Sequence, residues 1–426
     1  MNASMLNVPV SVAPPQYPFP AGQPSAPVAE KTKSWANAFN VAERRFGENF
    51  DGTTHAAVIK MMMAALGPTP ADMFDQVTPS GSGYDVTMKD EFKVHISQDE
   101  LKAVVQASRF GGDDVEAVKA ANFALAVFVK RKQSVGGYVS FEAALAKTLQ
   151  GETTLRCLQG MGVYGLSQYV PPSEMVGKGV VAVMGTHNFG SALVVDGVGH
   201  EYEHGYPRQV GNNYGYRLFA DKPHSSKATH KALASAKPQD IWGGFYQGTP
   251  SNCVTVSAIK AAMMRFGQAP ADIYRQVMAT QSGYEVVMRD GYTLTLTHEQ
   301  LSKAKAASGL QGSDRALLDD ANFLYAVSAR RAQLENNDIR ASQSFEVAME
   351  TLNDGEFPGQ ALRRLGLFAY VRESSVDELA KGAIGTLADT GHSVAVIDGA
   401  LDYYGEKQLL RSSRWMDTSL RALKLV

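Results

Sequence analysis

The sequence predicts an α+β fold present in two tandem copies, and three observations predict it. First, adding 200 to the numbering overlays two long stretches of the chain. Ile59-Lys60 falls on Ile259-Lys260, Pro70-Ala71-Asp72 on Pro270-Ala271-Asp272, Gly83-Tyr84 on Gly283-Tyr284, and Ala121-Asn122-Phe123 on Ala321-Asn322-Phe323. Second, each stretch opens with apolar residues at helical spacing, 56–66 and 254–266, stopping at Gly67 and Gly267. Third, each stretch ends in short runs of strand character: GVVAVM and SALVVDG, then GAIGTL and HSVAVIDG. Helices first and an antiparallel sheet last define the class. A period this long is no solenoid and implies two domains of one fold.

Taken in order, residues 1–33 are rich in proline, alanine and serine and carry no apolar period. Such a segment cannot bury enough surface to offset its ordering entropy, so a disordered leader is expected. Copy one follows over 34–222, a polar linker over 223–239, and copy two over 240–426. After its first helix each copy should carry a short two-strand element, with Gly-Tyr ahead of alternating residues such as YTLTLT at 292–297. Two or three helices come next, including ANFLYAVSARRAQL at 321–334. The register then slips: Ser140-Phe141-Glu142 meets Ser344-Phe345-Glu346, and residues 191–197 meet 393–399.

Composition excludes several classes. The 41 basic and 43 acidic side chains give a net charge of −2, so there is no global field for gripping nucleic acid. No run approaches the roughly 18 apolar residues of a membrane span. The N-terminus lacks the basic-then-apolar pattern of a secretory signal. With only Cys157 and Cys253, a disulfide framework is excluded.

The chemistry concentrates in copy two. Gln247-Gly248-Thr249-Pro250-Ser251-Asn252-Cys253 runs straight into a helix. Ser251 or Asn252 is a good N-cap, which sets Cys253 in the first turn. There the helix dipole and free N–H groups favour thiolate, the nucleophilic form. The same N–H groups, with the Gln247 amide, suit an oxyanion beside the sulfur.

The stretch resembles the papain-like and calpain-like cysteine proteases, which carry Gln-Gly, four variable residues and the nucleophilic Cys at a helix start. The resemblance implies a base histidine at the start of a sheet strand, and Gly391-His392-Ser393-Val394-Ala395-Val396-Ile397 matches that element. It departs from the family at Val254, where an aromatic residue is usual. Together with the duplication it implies a tandem papain-like architecture and a protein substrate; no phosphate-cradling Gly loop or Cys/His metal spacing calls for a cofactor or metal. The leader, the missing signal and a degenerate copy suggest a bacterial type III effector exported without a classical signal peptide. A cytoplasmic protein is the alternative.

A third residue should accept a hydrogen bond from the His392 ring. Asp398 lies six residues along the same strand, about 20 Å away at ~3.3 Å per residue, and is a poor candidate. With a hairpin turn near 403–406, the return strand brings residues 413–417 opposite His392, and Asp417 is the nearest carboxylate. Ser413, a backbone group, or Gln408 in a tighter hairpin could serve instead.

Copy one lacks the set. Cys253 faces Thr53, Gln247 faces Gly47, and His392 faces Gly190. Asp196 and Asp398 are shared, which suits a turn. Cys157 faces Ala361 and reads as a small buried residue, and Met61-Met62-Met63 as core. His55 and His187 lie nearby but off register. His200-Glu201-Tyr202-Glu203-His204 matches a zinc-protease pattern, but that pattern needs a helix. Flanking Gly197, Gly199, Gly205 and Pro207 favour a hairpin loop.

Two enzyme readings share the Cys-His pair: peptide hydrolysis, and glutamine deamidation, transglutamination or acyl transfer through the same thioester. A third reading makes both copies non-catalytic binding modules.

Overall fold

A computed structural model describes residues 38–41, 50–185, 190–200, 207–219 and 236–426. The leader over 1–33 lies outside the described residues, as do Gly47, His187 and most of the linker. Residues 236–239, expected in the linker, bond to the second half: Gln268 N–H donates to Ala236 O at 2.9 Å.

The chain is α+β, and every strand pair is antiparallel. The first half runs β1 (Asn40–Val41), α1 (Thr53–Leu66), α2 (Pro70–Met73), β2 (Gln76–Ser80), β3 (Gly83–Thr87), β4 (Lys93–Ser97), α3 (Gln98–Ala107), β5 (Phe110–Gly111), α4 (Val115–Gly136), α5 (Phe141–Thr148) and α6 (Thr154–Gly160). Strands β6 (Ser167–Val170), β7 (Val181–Gly185), β8 (Ser191–Val195), β9 (Val198–His200), β10 (Pro207–Gln209) and β11 (Gly215–Leu218) complete it.

The second half opens with α7 (Cys253–Phe266), α8 (Pro270–Ile273), β12 (Gln276–Thr280), β13 (Gly283–Val287), β14 (Thr293–Thr297), α9 (His298–Ala307), α10 (Arg315–Leu334), α11 (Phe345–Glu350) and α12 (Pro358–Arg364). It closes with β15 (Val371–Ser374), α13 (Val376–Ala380), β16 (Gly385–Ala388), β17 (Ser393–Ile397), β18 (Ala400–Tyr403), β19 (Glu406–Leu409) and β20 (Arg421–Leu425). The large sheets have the orders β10-β9-β8-β7-β11-β6 and β15-β20-β16-β17-β18-β19. Read by position in their halves, these are one order in opposite directions.

The expected two-strand element is a three-strand meander in both halves, β2-β3-β4 and β12-β13-β14. Its first strands, QVTPS and QVMAT, are largely exposed and show no apolar alternation, so the period-2 signal is missing. The shared Gly-Tyr has a steric cause. A Cβ on Gly83 would lie 2.0 Å from Ile96 O, and one on Gly283 2.0 Å from Leu296 O. No other residue fits beside the neighbouring strand.

Buried hydrogen bonds explain other shared residues. Ser108 Oγ donates to Asn122 Oδ1 at 2.6 Å, and Ser308 Oγ to Asn322 Oδ1 at 2.6 Å. Each asparagine also donates to a carbonyl one turn back, at 2.9 Å. A buried amide left unpaired costs roughly 1–3 kcal/mol, so substituting either partner alone is penalised.

Helix α7 is buried around nearly its whole circumference, as a central core helix must be. Gly267, at φ 136°, ends it, its N–H donating to Met263 O. The helix packs on β17, whose five residues are all buried because both faces are covered. Ala395 and Ile397 join the core around α7, whereas Val394 and Val396 join a second cluster with Leu379, Leu401 and Trp415. This packing sets the start of α7 beside the start of β17.

The halves meet through reciprocal turns. Arg275 and Arg289 of the second half reach Glu91 of the first at 2.8 and 3.0 Å. In the other direction Arg331 Nη2 donates to Gly165 O at 2.6 Å, and Arg363 Nη2 to Ser167 O at 2.7 Å.

Candidate functional site

Cys253 is the first residue of α7, with Asn252 at the N-cap position. The Asn252 side chain does not cap. Its Nδ2 donates instead to Ser308 O at 2.8 Å, tying the loop before the cysteine to the end of α9. The N–H groups of Ser393, Val254 and Cys253 itself all pull the thiol pKa down by donating to the sulfur. Burial has the larger effect and pushes the Cys253 thiol up, and the Asp389 carboxylate adds to the rise. The expectation of a thiolate from helix position alone is therefore corrected: desolvation outweighs the N–H groups.

His392 lies at the head of β17, next to the Ser393 N–H that meets the sulfur. Its backbone is fixed by Asp389, whose Oδ1 accepts from Gly391 N–H at 2.7 Å and His392 N–H at 2.6 Å. Burial pushes the His392 imidazole below its ordinary pKa, Asp389 opposes this, and Arg414 pushes it further down. Cys253 and His392 are thus both shifted toward their neutral forms. Ser393 Oγ bonds Ser257 Oγ at 2.8 Å, linking β17 to the second turn of α7.

The ring of His392 is flanked by aromatics. Tyr404 stacks on it with centroids 5.0 Å apart and planes at 14°, and Trp415 lies at 6.1 Å and 54°. Offset stacking of this kind contributes about 0.5–1.5 kcal/mol beyond area burial. Tyr404 has φ +53°, a left-handed conformation costing roughly 1 kcal/mol for a side chain of this size. Burial raises the Tyr404 phenol, and the Cys253 sulfur adds to the rise.

Gln247 sits on the loop ahead of Cys253 and is partly buried. Its Nε2 donates to Pro250 O at 2.7 Å, which holds the amide on this loop and leaves one amide hydrogen for another acceptor.

Asp417 does not orient the histidine. Its carboxylate accepts from Ser419 N–H and Ser419 Oγ, both at 2.8 Å, and is exposed. The reason is a misplaced turn. The hairpin after β17 turns at Asp398-Gly399, with φ +50° and +74°, and pairs Ile397 with Ala400. Strand β18 then turns again at Tyr404-Gly405 into β19. Segment 413–417 does reach His392, through Trp415 rather than Asp417. Ser413 Oγ donates to Leu410 O at 2.8 Å, and Gln408 pairs with Leu401 in β18–β19. Asp398 serves the turn, as Asp196 does in the first half, where it accepts from Gly179 N–H.

The first half has the same frame without the groups. Thr53 is the first residue of α1, its hydroxyl donating to Asp51 Oδ1 at 2.6 Å. Gly190 precedes β8. Cys157 is fully buried with its thiol pushed well up by burial. Met61 to Met63 are core. His55 is buried edge-on to Phe128, and burial takes its pKa to about 3. His200 ends β9 and pairs with Pro207 of β10, so it lies on a strand and not on a zinc-binding helix. The rest of that motif, residues 201–206, lies outside the described residues.

Sequence reasoning missed Tyr404, Trp415 and Asp389. The signal for Tyr404 was present: Asp-Gly between apolar runs marks a two-residue hairpin, and that register returns the chain to His392 near 404. Among the described residues no cluster of metal-ligating side chains occurs, and no helix is long and apolar enough to cross a membrane. No protein family, curated protein or solved structure matches the chain, so the reading of the site rests on its own chemistry.

Proposed function

We propose that the chain is a cysteine hydrolase in which a papain-like domain occurs twice, with the second copy catalytic and the first a degenerate partner. The observation that carries this reading is the junction of α7 and β17. It puts a lone thiol at a helix start, three N–H groups around it, and an imidazole on the adjoining strand head.

In this reading His392, neutral at rest, takes the Cys253 proton as the sulfur attacks a carbonyl, and returns it to the leaving amine. Sulfur gains a bond to the carbonyl carbon, and the oxyanion is held by Cys253 N–H and the free amide hydrogen of Gln247. Collapse expels the amine and leaves a thioester, which water or another acyl acceptor resolves. A protein amide is the preferred substrate. Deamidation, transglutamination and acyl transfer share the thioester.

The test is a peptidyl vinyl sulfone followed by mass spectrometry of proteins exposed to the enzyme. Labelling at Cys253 that depends on His392 supports the proposal. A new chain terminus, a change of about 1 Da, or a cross-link then assigns the acceptor. Identical products from wild type and Cys253→Ala would sink it. A second reading, a non-catalytic binding module, is favoured by the raised thiol and by the His392 ring having no carboxylate hydrogen bond among the described residues.

A further inference from the structure

The device that holds His392 is aromatic and is anchored to the helix bearing the nucleophile. Lys260 lies seven residues along α7 from Cys253, fully buried, with Nζ 2.8 Å from Asp402 Oδ1. Nζ also donates to Trp242 O at 3.1 Å and lies 5.0 Å from the Phe245 ring centroid. The same Asp402 oxygen accepts from Gly405 N–H at 3.2 Å, closing the turn that carries Tyr404. Gly405 is required there: it has φ +93°, and a Cβ would strike Tyr246 Cδ1 at 2.7 Å. A continuous set of contacts therefore runs from α7 through Lys260 and Asp402 to Tyr404 and the His392 ring.

We propose that Tyr404 is a positioning residue, stacking on His392 to fix its ring at the head of β17, beside the start of α7, with the buried Lys260–Asp402 pair setting the turn from beneath. The inference rests on the cysteine-hydrolase reading. It assigns to an aromatic face the part expected of Asp417. The backbone supports the assignment, because a tyrosine kept at positive φ is retained against a local cost. Position supports it too, since Tyr404 is the residue that the β17–β18 register brings back to the strand head.

Tyr404→Gly removes the ring and suits the left-handed backbone, so the fold should survive, and Tyr404→Phe keeps the ring. In proton NMR the His392 Cε1–H should be displaced upfield by the Tyr404 ring current, and its titration midpoint should lie below 6.5. Tyr404→Phe should preserve both. Tyr404→Gly should abolish the displacement, bring the midpoint back toward its ordinary value, and slow vinyl-sulfone labelling of Cys253 roughly 10-fold or more. If Tyr404→Gly leaves the shift, the titration and the labelling as in wild type, the positioning role is overturned. Wild-type protein that shows the ring-current shift but never labels would sink the hydrolase reading while leaving the stack in place.

Discussion

Arg331 Nη1 lies 2.8 Å from Asp290 Oδ2, with the two side chains 0% and 1% exposed. Arg131 and Asp90 repeat the contact at 2.7 Å in the first half. Arg331 does more than its counterpart, holding Glu335 at 2.8 Å and reaching across to Gly165 O. A buried guanidinium that loses its carboxylate is left with uncompensated charge. Asp290→Ala should therefore cost about 3–5 kcal/mol, read as a shift in the urea midpoint. A loss under about 1 kcal/mol would mean that Glu335 alone satisfies the arginine.

Glu91 makes the contact between the halves acid-sensitive. Burial pushes its carboxyl up, but Tyr370, Arg275 and Arg289 together bring it below the ordinary 4.5. A group with a depressed folded pKa stabilises fully above its unfolded pKa, and the stabilisation is lost as pH falls through the folded one. Stability should decline below about pH 4.5, and Glu91→Gln should flatten part of that decline while weakening the protein at pH 7. Denaturant midpoints between pH 3 and 7 decide it. An unchanged slope in Glu91→Gln would place the acid sensitivity elsewhere.

The parts legible in the sequence were those where one residue type has no substitute. Gly83 and Gly283 and the Asn122 and Asn322 amides recur because a Cβ or an unpaired polar group cannot be accommodated. That made the 200-residue register and the helices α1 and α7 readable. Strands β2 and β12 were hidden because exposed residues carry no period. The surroundings of His392 were misread by placing the hairpin turn several residues beyond Asp398-Gly399. The upward push on the Cys253 thiol was not legible for another reason: its burial is a tertiary fact, and no spacing in the chain reports it.

Thr53 stands where Cys253 stands, at the first position of its helix, but its hydroxyl is committed to Asp51. Thr53→Ala should leave turnover unchanged and cost about 1 kcal/mol of stability, the worth of one such bond. Cys253→Ala and His392→Ala should each remove nearly all turnover. A large rate loss in well-folded Thr53→Ala would show that the first half takes part in chemistry.

Asp389, which the sequence alone did not single out, should matter more for turnover than Asp417, to which it assigned the orienting role. Asp417 faces solvent and bonds only within its own turn, so Asp417→Ala should match wild type in rate and in melting temperature. Asp389→Ala removes the acceptor of two N–H groups at the strand head, and with it the fixed approach of His392. Turnover should fall by roughly 10-fold or more. Steady-state rates and thermal midpoints for both variants test this, and a slow, stable Asp417→Ala beside a normal Asp389→Ala would reverse it.

The last prediction concerns the resting state of the pair. A thiolate–imidazolium pair would alkylate at a constant rate from mildly acid pH upward, because the sulfur is ionised throughout. Here burial raises Cys253 above the ordinary 9.0 and lowers His392 below the ordinary 6.5, so both groups are neutral between those values. Iodoacetamide should therefore react with Cys253 ever faster as pH rises, with no acid plateau and a midpoint above 9.0. Turnover needs His392 as a base, so kcat/KM should rise with pH through a limb below 6.5 and then level off. His392→Ala, with nearly all turnover gone, should still keep the alkaline rise in alkylation, which belongs to the thiol. An alkylation plateau reaching down to about pH 5 in wild type would show an ion pair, with the three N–H groups at the sulfur outweighing its burial.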